Sequence, residues 1–145
     1  MYTKEIMVYF SLFFVSFLGG SILPGSSELT LAALLSTNNY NELGLLIIAS
    51  LGNILGAVCN WILGFYLLKY IKKRWFPFTL NQNDKASLWF KKFGIWSLLF
   101  AWVPIIGDPL TLVAGILKTR FSIFLFLVSI GKAGRYFFLY YLMNI

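Results

Sequence analysis

Apolar residues in this chain come in blocks rather than in alternation, and the polar positions between the blocks set its organisation. Residues 6–22 (IMVYFSLFFVSFLGGSI) form a first apolar run, at about the 17-residue minimum for a membrane-spanning helix. LPGSSE breaks the run, and residues 29–36 (LTLAALLS) supply a second, half-length apolar piece. After the polar turn STNNYNEL, residues 44–68 make a full span, whose length permits tilt without fixing an angle. Residues 93–103 (FGIWSLLFAWV) are apolar but too short to cross; PIIGDP at 104–109 breaks them and LTLVAGIL resumes at 110–117. Residues 121–143 form the last full span.

The order of parts occurs twice: apolar piece, Pro/Gly/acid break, half-length piece, full span. Pro24 and Glu28 recur as Pro104 and Asp108, Leu29-Thr30-Leu31 as Leu110-Thr111-Leu112, and Ser50-x-Gly52-Asn53 as Ser129-x-Gly131-Lys132. The shared order and the near-constant offset predict pseudo-repeats over about 6–68 and 93–143, joined by a basic linker at 69–92, within a single membrane domain covering 1–145. The linker holds seven of the twelve basic residues against one acid, Asp84. That is the positive-inside signal of a cytoplasmic loop, and its tryptophans and phenylalanines fit an amphipathic segment lying on anionic headgroups. With this loop cytoplasmic, spans 44–68 and 121–143 run in opposite directions. The expected fold is therefore all-α and integral to the membrane: an inverted repeat of two re-entrant helical hairpins and two full transmembrane helices. Non-helical backbone survives at that depth only when packed in protein or lining a wet cavity, and discontinuous helices meeting near the midplane are a common way to build a transport site.

Composition agrees with the block pattern. At 59% hydrophobic and 12% charged, the chain exceeds the apolar share of soluble domains and has half their charge. Residues 6–22 lack an A-x-A cleavage pattern, so this segment is expected to remain as part of the fold rather than leave as a signal peptide. Histidine is absent and there is one cysteine, Cys59. Histidine-based metal sites, Ser–His or Cys–His nucleophiles and an intrachain disulfide are thereby excluded. The cluster Ser26, Ser27, Glu28 lacks a base oriented by a third group, so no enzyme activity, cofactor or metal is expected. A basic loop this short and tethered to the membrane is not expected to bind nucleic acid.

Four ionisable residues fall in or near hydrocarbon: Glu28, Asp108, Lys132 and Arg135. Each costs roughly 2.5–3.5 kcal/mol at a helix centre if left alone, so they must be paired, neutralised or wet. Lys132 and Arg135 are three residues apart and share a helix face. Span 44–68 carries a facing stripe of Gly52, Asn53, Gly56, Asn60 and Gly64, whose glycines suit close helix approach. A bundle needs no amide there, so the asparagines are the informative members. Two buried acid–base pairs acting only as staples are one expectation. The other makes the pairs exchangeable: Glu28 and Asp108 as proton-coupling carboxylates, Lys132 and Arg135 as ligands for an anionic substrate. Arginine recognises phosphate through several donors and lysine adds point charge, while helix starts just after Gly25 and Gly107 favour anions.

The stretches Leu23-Pro24-Gly25-x-Ser27-Glu28, Gly52-Asn53-x-x-Gly56, Trp102-x-Pro104-x-x-Gly107-Asp108, Ala114-Gly115 and Gly131-Lys132-Ala133-x-Arg135-Tyr136 together resemble the DedA family of membrane proteins (the VTT, or SNARE-associated, domain), in its short YqaA-like branch. The resemblance implies paired re-entrant hairpins and a role in lipid handling. Some relatives are implicated in moving undecaprenyl phosphate or phospholipids, with protons as coupling ions. Larger members usually carry arginines on either side of the second hairpin's proline, where this chain has Ala101 and Gly107. Where they often have an acid after a glycine in the second span, it has Asn53. The expectation is a multi-pass inner-membrane transport protein that moves a lipid phosphate or phospholipid with proton coupling. Pro24, Gly25, Ser27, Asn53, Pro104 and Gly107 would shape its hairpins and cavity. A non-transporting scaffold for envelope integrity and a small-cation exporter are the rival expectations, and a homo-oligomer is compatible with the sequence.

Overall fold

The structure is a computed structural model that describes residues 2–21, 26–67, 92–102 and 107–145. Five α-helices and one 3-10 helix make up the described chain: α1 (Tyr2–Ser21), α2 (Ser26–Ser36), α3 (Glu42–Leu67), the 3-10 helix Gly94–Trp102, α4 (Gly107–Ile116) and α5 (Phe121–Met143). Three of them, α1, α3 and α5, are long and apolar enough to cross a membrane, where the sequence pattern predicted two full spans. The difference lies in α1. Helix extends back through Tyr2–Glu5, with Glu5 in its first turn, where a carboxylate is favoured by the positive end of the helix dipole. The basic linker predicted to lie on headgroups falls, but for Lys92, outside the described residues, as do Pro24, Gly25 and Pro104.

Contacts fix the direction and level of each helix. Gly44 meets Tyr9, Gly52 meets Phe13 and Ser16, Gly56 meets Phe17 and Gly20, and Asn60 Nδ2 donates to the Gly20 carbonyl at 3.3 Å. Helix α1 therefore runs parallel to α3 and is spent at the level of Gly56–Asn60. At 1.5 Å per residue that is about 21–27 Å along a helix about 39 Å long. Helix α2 doubles back: Gly19 lies against Ser27, and Leu31 and Leu35 share a core with Leu12 and Tyr9. Helix α4 also runs parallel to α3, with Thr111 against Asn60, Gly115 against Trp61 and Gly64 against Leu112 and Ile116. Extending that register back one turn brings Gly107 to the level of Gly56, where α1 stops. Helix α5 is antiparallel to α3, as Phe124 meets Trp61, Lys132 meets Asn53 and Tyr140 meets Glu42.

Small residues make these approaches close. A Cβ on Gly56 would overlap the Phe17 carbonyl oxygen, and one on Gly115 the Trp61 carbonyl. With lipid tails as apolar as leucine, such backbone-to-backbone packing is the main attraction between membrane helices. The apolar core divides in two. One cluster gathers Leu12, Leu31, Leu35, Leu45, Leu46, Ala49 and Tyr136 near the start of α3. The other gathers Ala57, Leu98, Ala101, Leu110, Val113, Ala114, Phe124, Leu127 and Val128 near its end. Between the two clusters lies a layer of buried polar side chains.

Candidate functional site

The polar layer is built by three helices and by the ends of two more. Asn53, on the α3 face toward α1, donates through Nδ2 to the Ser16 carbonyl at 3.2 Å and accepts at Oδ1 from Lys132 Nζ at 2.6 Å. Lys132 is 3% exposed; its charge lies among side chains, not in lipid. Beside the acid–base pairing predicted for both cations, the geometry gives Lys132 an amide acceptor on the facing span. An amide oxygen gives a buried ammonium a strong charge-assisted bond.

One turn further along α5, Arg135 Nη2 pairs with Glu28 Oε1 at 2.8 Å, the two side chains being 23% and 14% exposed. Glu28 lies in the first turn of α2, where the helix dipole favours a carboxylate. Its second oxygen, Oε2, is buried with no hydrogen-bond partner among the described residues, as are the hydroxyls of Ser16 and Ser50. Each such group costs about 1–3 kcal/mol when left unsatisfied. Three in one layer point to water or a ligand group as the missing partner.

Beside the ion pair, the Tyr136 phenol donates to Ser27 Oγ at 2.7 Å, both side chains being fully buried. Ser27 thus serves as a hydrogen-bond partner as well as a small residue under Gly19. Asn60 bridges the two halves: its Nδ2 donates to the Gly20 carbonyl and to Thr111 Oγ1, each at 3.3 Å. The C-terminal carbonyls of a helix have no partner within it. Asn60 supplies one where α1 ends in the interior, which gives the amide of the glycine stripe its physical reason.

Of the residues singled out from sequence, Ser27, Glu28, Asn53, Lys132 and Arg135 come together here. Gly107 starts α4 against Ala101, so closely that a Cβ would overlap the Ala101 carbonyl. Asp108 belongs to the first turn of α4; its side chain lies outside what the structure describes. Tyr136, Ser16, Ser50 and Thr111 are site members that sequence reasoning missed. Ser50 and Thr111 stood in the internal repeat and Tyr136 in the family stretch without a role assigned, while helix position offered a further signal: Ser50 stands three before Asn53, and Tyr136 four after Lys132.

A membrane-embedded polar layer at a break between short helices defines a class of polytopic membrane protein, and the sequence assigns the class a family. Residues 9–145 match the VTT domain; the chain belongs to that family and is a DedA-type, multi-pass inner-membrane protein. It is 38% identical over 135 residues to the inner membrane protein YqaA of Escherichia coli, covering 92% of this chain and 89% of that protein. An uncharacterized protein of Haemophilus influenzae is 32% identical over 145 residues, covering 90% and 84% respectively. Undecaprenyl phosphate transporter A of Staphylococcus aureus is 27% identical over 119 residues, 76% of this chain and 59% of that protein. No solved structure matches the chain.

Proposed function

We infer that the protein translocates an amphiphile with a phosphate head, a lipid phosphate or phospholipid, across the inner membrane with protons as co-transported ions. The observation that carries this reading is the Glu28–Arg135 pair, whose carboxylate keeps one buried oxygen unpartnered beside a cationic face. In the resting state Glu28 holds Arg135. A phosphate arriving at Arg135 and Lys132 displaces the carboxylate, which then takes a proton, because a desolvated acid without its counter-ion favours the neutral form. Release of the phosphate restores the pair and expels the proton. Asp108, the repeat counterpart of Glu28, has the same role in the second half.

The architecture in this proposal is an inverted repeat in one membrane domain, with α1–α2 and the 3-10 helix–α4 unit as hairpins entering from opposite faces. Three observations support it. Helices α1 and α4 stop and start at one level along α3. The full spans α3 and α5 are antiparallel. The repeat counterparts Asn53 and Lys132 touch each other, as residues beside a two-fold axis in the membrane plane would. The name of the Staphylococcus aureus relative supports a polyprenyl phosphate as cargo. One feature favours the scaffold reading instead: Lys132 is buried and held by an amide, as a staple would be.

Flip of a fluorescent lipid phosphate in vesicles containing purified protein separates the two. Wild type is expected to accelerate flip, more so with an imposed proton gradient. Glu28→Gln keeps the hydrogen bond to Arg135 but cannot load a proton, and its flip should fall at least about tenfold and lose its gradient dependence. Background-level flip by folded wild type and variant alike would leave the scaffold standing.

A further inference from the structure

At the end of α3 remote from the basic linker, a cavity of about 360 Å³ opens between the start of α3 and the end of α5, lined by Asn41, Glu42, Leu43, Leu46, Phe137 and Tyr140. Its lining carries one acid and no base. Tyr140 donates its phenol to Glu42 Oε2 at 2.5 Å, which fixes the carboxylate and leaves Oε1 as an acceptor. Among the described residues no cation pairs with Glu42, although the chain has twelve basic residues and five acids. Phe137 and Tyr140 are three apart on α5, so both rings stand on the same side of the helix.

An uncompensated carboxylate beside two aromatic rings has one natural guest. Ring faces attract cations, ammonium groups above all, and the carboxylate adds a charge-assisted hydrogen bond or a counter-charge. The surroundings select an amphiphilic guest. Leu43 and Leu46 give the cavity an apolar side, while Phe138 and Tyr141 beside it are 63% and 64% exposed, as aromatic residues are at a bilayer's interfacial belt. We propose that this cavity binds the ammonium headgroup of a membrane amphiphile. Glu42 is the counter-ion, Phe137 and Tyr140 are the aromatic wall, and Leu43 and Leu46 lie against the carbons that follow the head. The site stands apart from the Glu28–Arg135 layer and does not depend on transport by it.

Native mass spectrometry of the detergent-solubilised protein tests the assignment with lysophosphatidylcholine and lysophosphatidylglycerol as probes, and free choline as the competitor without a tail. Wild type is expected to retain one lysophosphatidylcholine about tenfold more tightly than the glycerol lipid, a difference within the reach of one cation–aromatic contact plus a counter-charge. Glu42→Gln and Leu43→Trp, which neutralise and fill the cavity, should each abolish that preference without lowering the melting temperature. Tyr140→Phe, which frees the carboxylate but keeps the ring, should preserve it. Equal retention of the two lipids by wild type, or an unchanged preference in Glu42→Gln, would overturn the proposal. If free choline binds as tightly as the lysolipid, the ammonium site stands and the membrane amphiphile is the wrong source.

Discussion

Replacing Gly56 with leucine is expected to cost the protein its stable fold. Gly56 faces α1 where the two backbones are closest, and even a single carbon there would overlap the Phe17 carbonyl and crowd Gly20. Backbone atoms cannot swing aside as a flexible side chain does, so α1 must slide away from α3 as a unit. That movement takes Gly20 from Asn60 and Ser16 from Asn53, stripping α1 of its interior hydrogen bonds as well as its packing. Overpacking alone typically costs 1–3 kcal/mol, and each lost bond to a buried group adds about 1 kcal/mol or more. A total of about 4 kcal/mol is most of the stability of a domain at the lower end of the usual range, about 5 kcal/mol. Unfolding in mixed micelles, followed by helical signal and by monodispersity, reads it out. Gly134 is the control: nothing lies within 4 Å of a Cβ built there, so Gly134→Ala should be tolerated and gain up to about 1 kcal/mol from helix propensity. Equal stability of the Gly56 and Gly134 variants would mean that α1 and α3 do not pack as described.

Arg135→Gln is the second large expected effect, and the sign of its coupling matters more than its size. Removing the guanidinium leaves Glu28 with both oxygens short of partners in a layer only 14% exposed at that side chain. Breaking a buried pair by deleting one member costs about 3–5 kcal/mol; partial exposure places this pair near the lower end. Glu28→Gln should cost less, because the longer arginine can extend its head toward a wetter place. The double variant Glu28→Gln with Arg135→Gln leaves no orphaned charge. It should recover at least about 1 kcal/mol relative to the sum of the two single losses. Strictly additive losses in the mixed-micelle assay would show that the two charges are not coupled, and an exchangeable pair would then have no physical basis.

Much of the fold could be read from the order of apolar blocks. The last span was predicted at 121–143 and is Phe121–Met143; the middle span was predicted at 44–68 and is Glu42–Leu67. Long apolar runs leave little choice of structure, since every backbone group in hydrocarbon must be bonded within its own segment. The half-length helices were also legible, and they begin at Ser26 and Gly107, within a residue of the starts expected just after Gly25 and Gly107. Serines open α2, a residue type favoured where a helix start leaves N–H groups free. The 3-10 geometry of Gly94–Trp102 was not legible, as helix type depends on how a segment is held at both ends and not on its hydropathy.

For the site, charges and amides were visible because each is expensive in lipid and must have a reason to be there. That cost singled out Glu28, Lys132, Arg135, Asn53 and Asn60 before any contact was known. The pairing was less visible. Sequence could not decide that Lys132 takes the Asn53 amide, since several helix rotations bring the same residues into one layer. Ser16, Ser50 and Tyr136 carry no comparable cost, because a hydroxyl on a membrane helix can satisfy itself on its own backbone. Their burial without such a bond, or with the bond spent on Ser27, emerges only from packing.

The central claim of the proposal is that the α1–α2 and 3-10 helix–α4 hairpins enter from opposite faces, α1 stopping and α4 starting near the middle of the membrane, so that one polar layer is reachable from both sides. Ser36, at the end of α2, and Lys118, just past α4, are both exposed and lie near opposite ends of α3, about 35 Å apart along its axis. With Cys59 replaced by alanine, single cysteines at these two positions should label with an impermeant maleimide from different sides: Ser36→Cys in right-side-out vesicles and Lys118→Cys in inverted ones. Labelling of both from the same side would contradict the account.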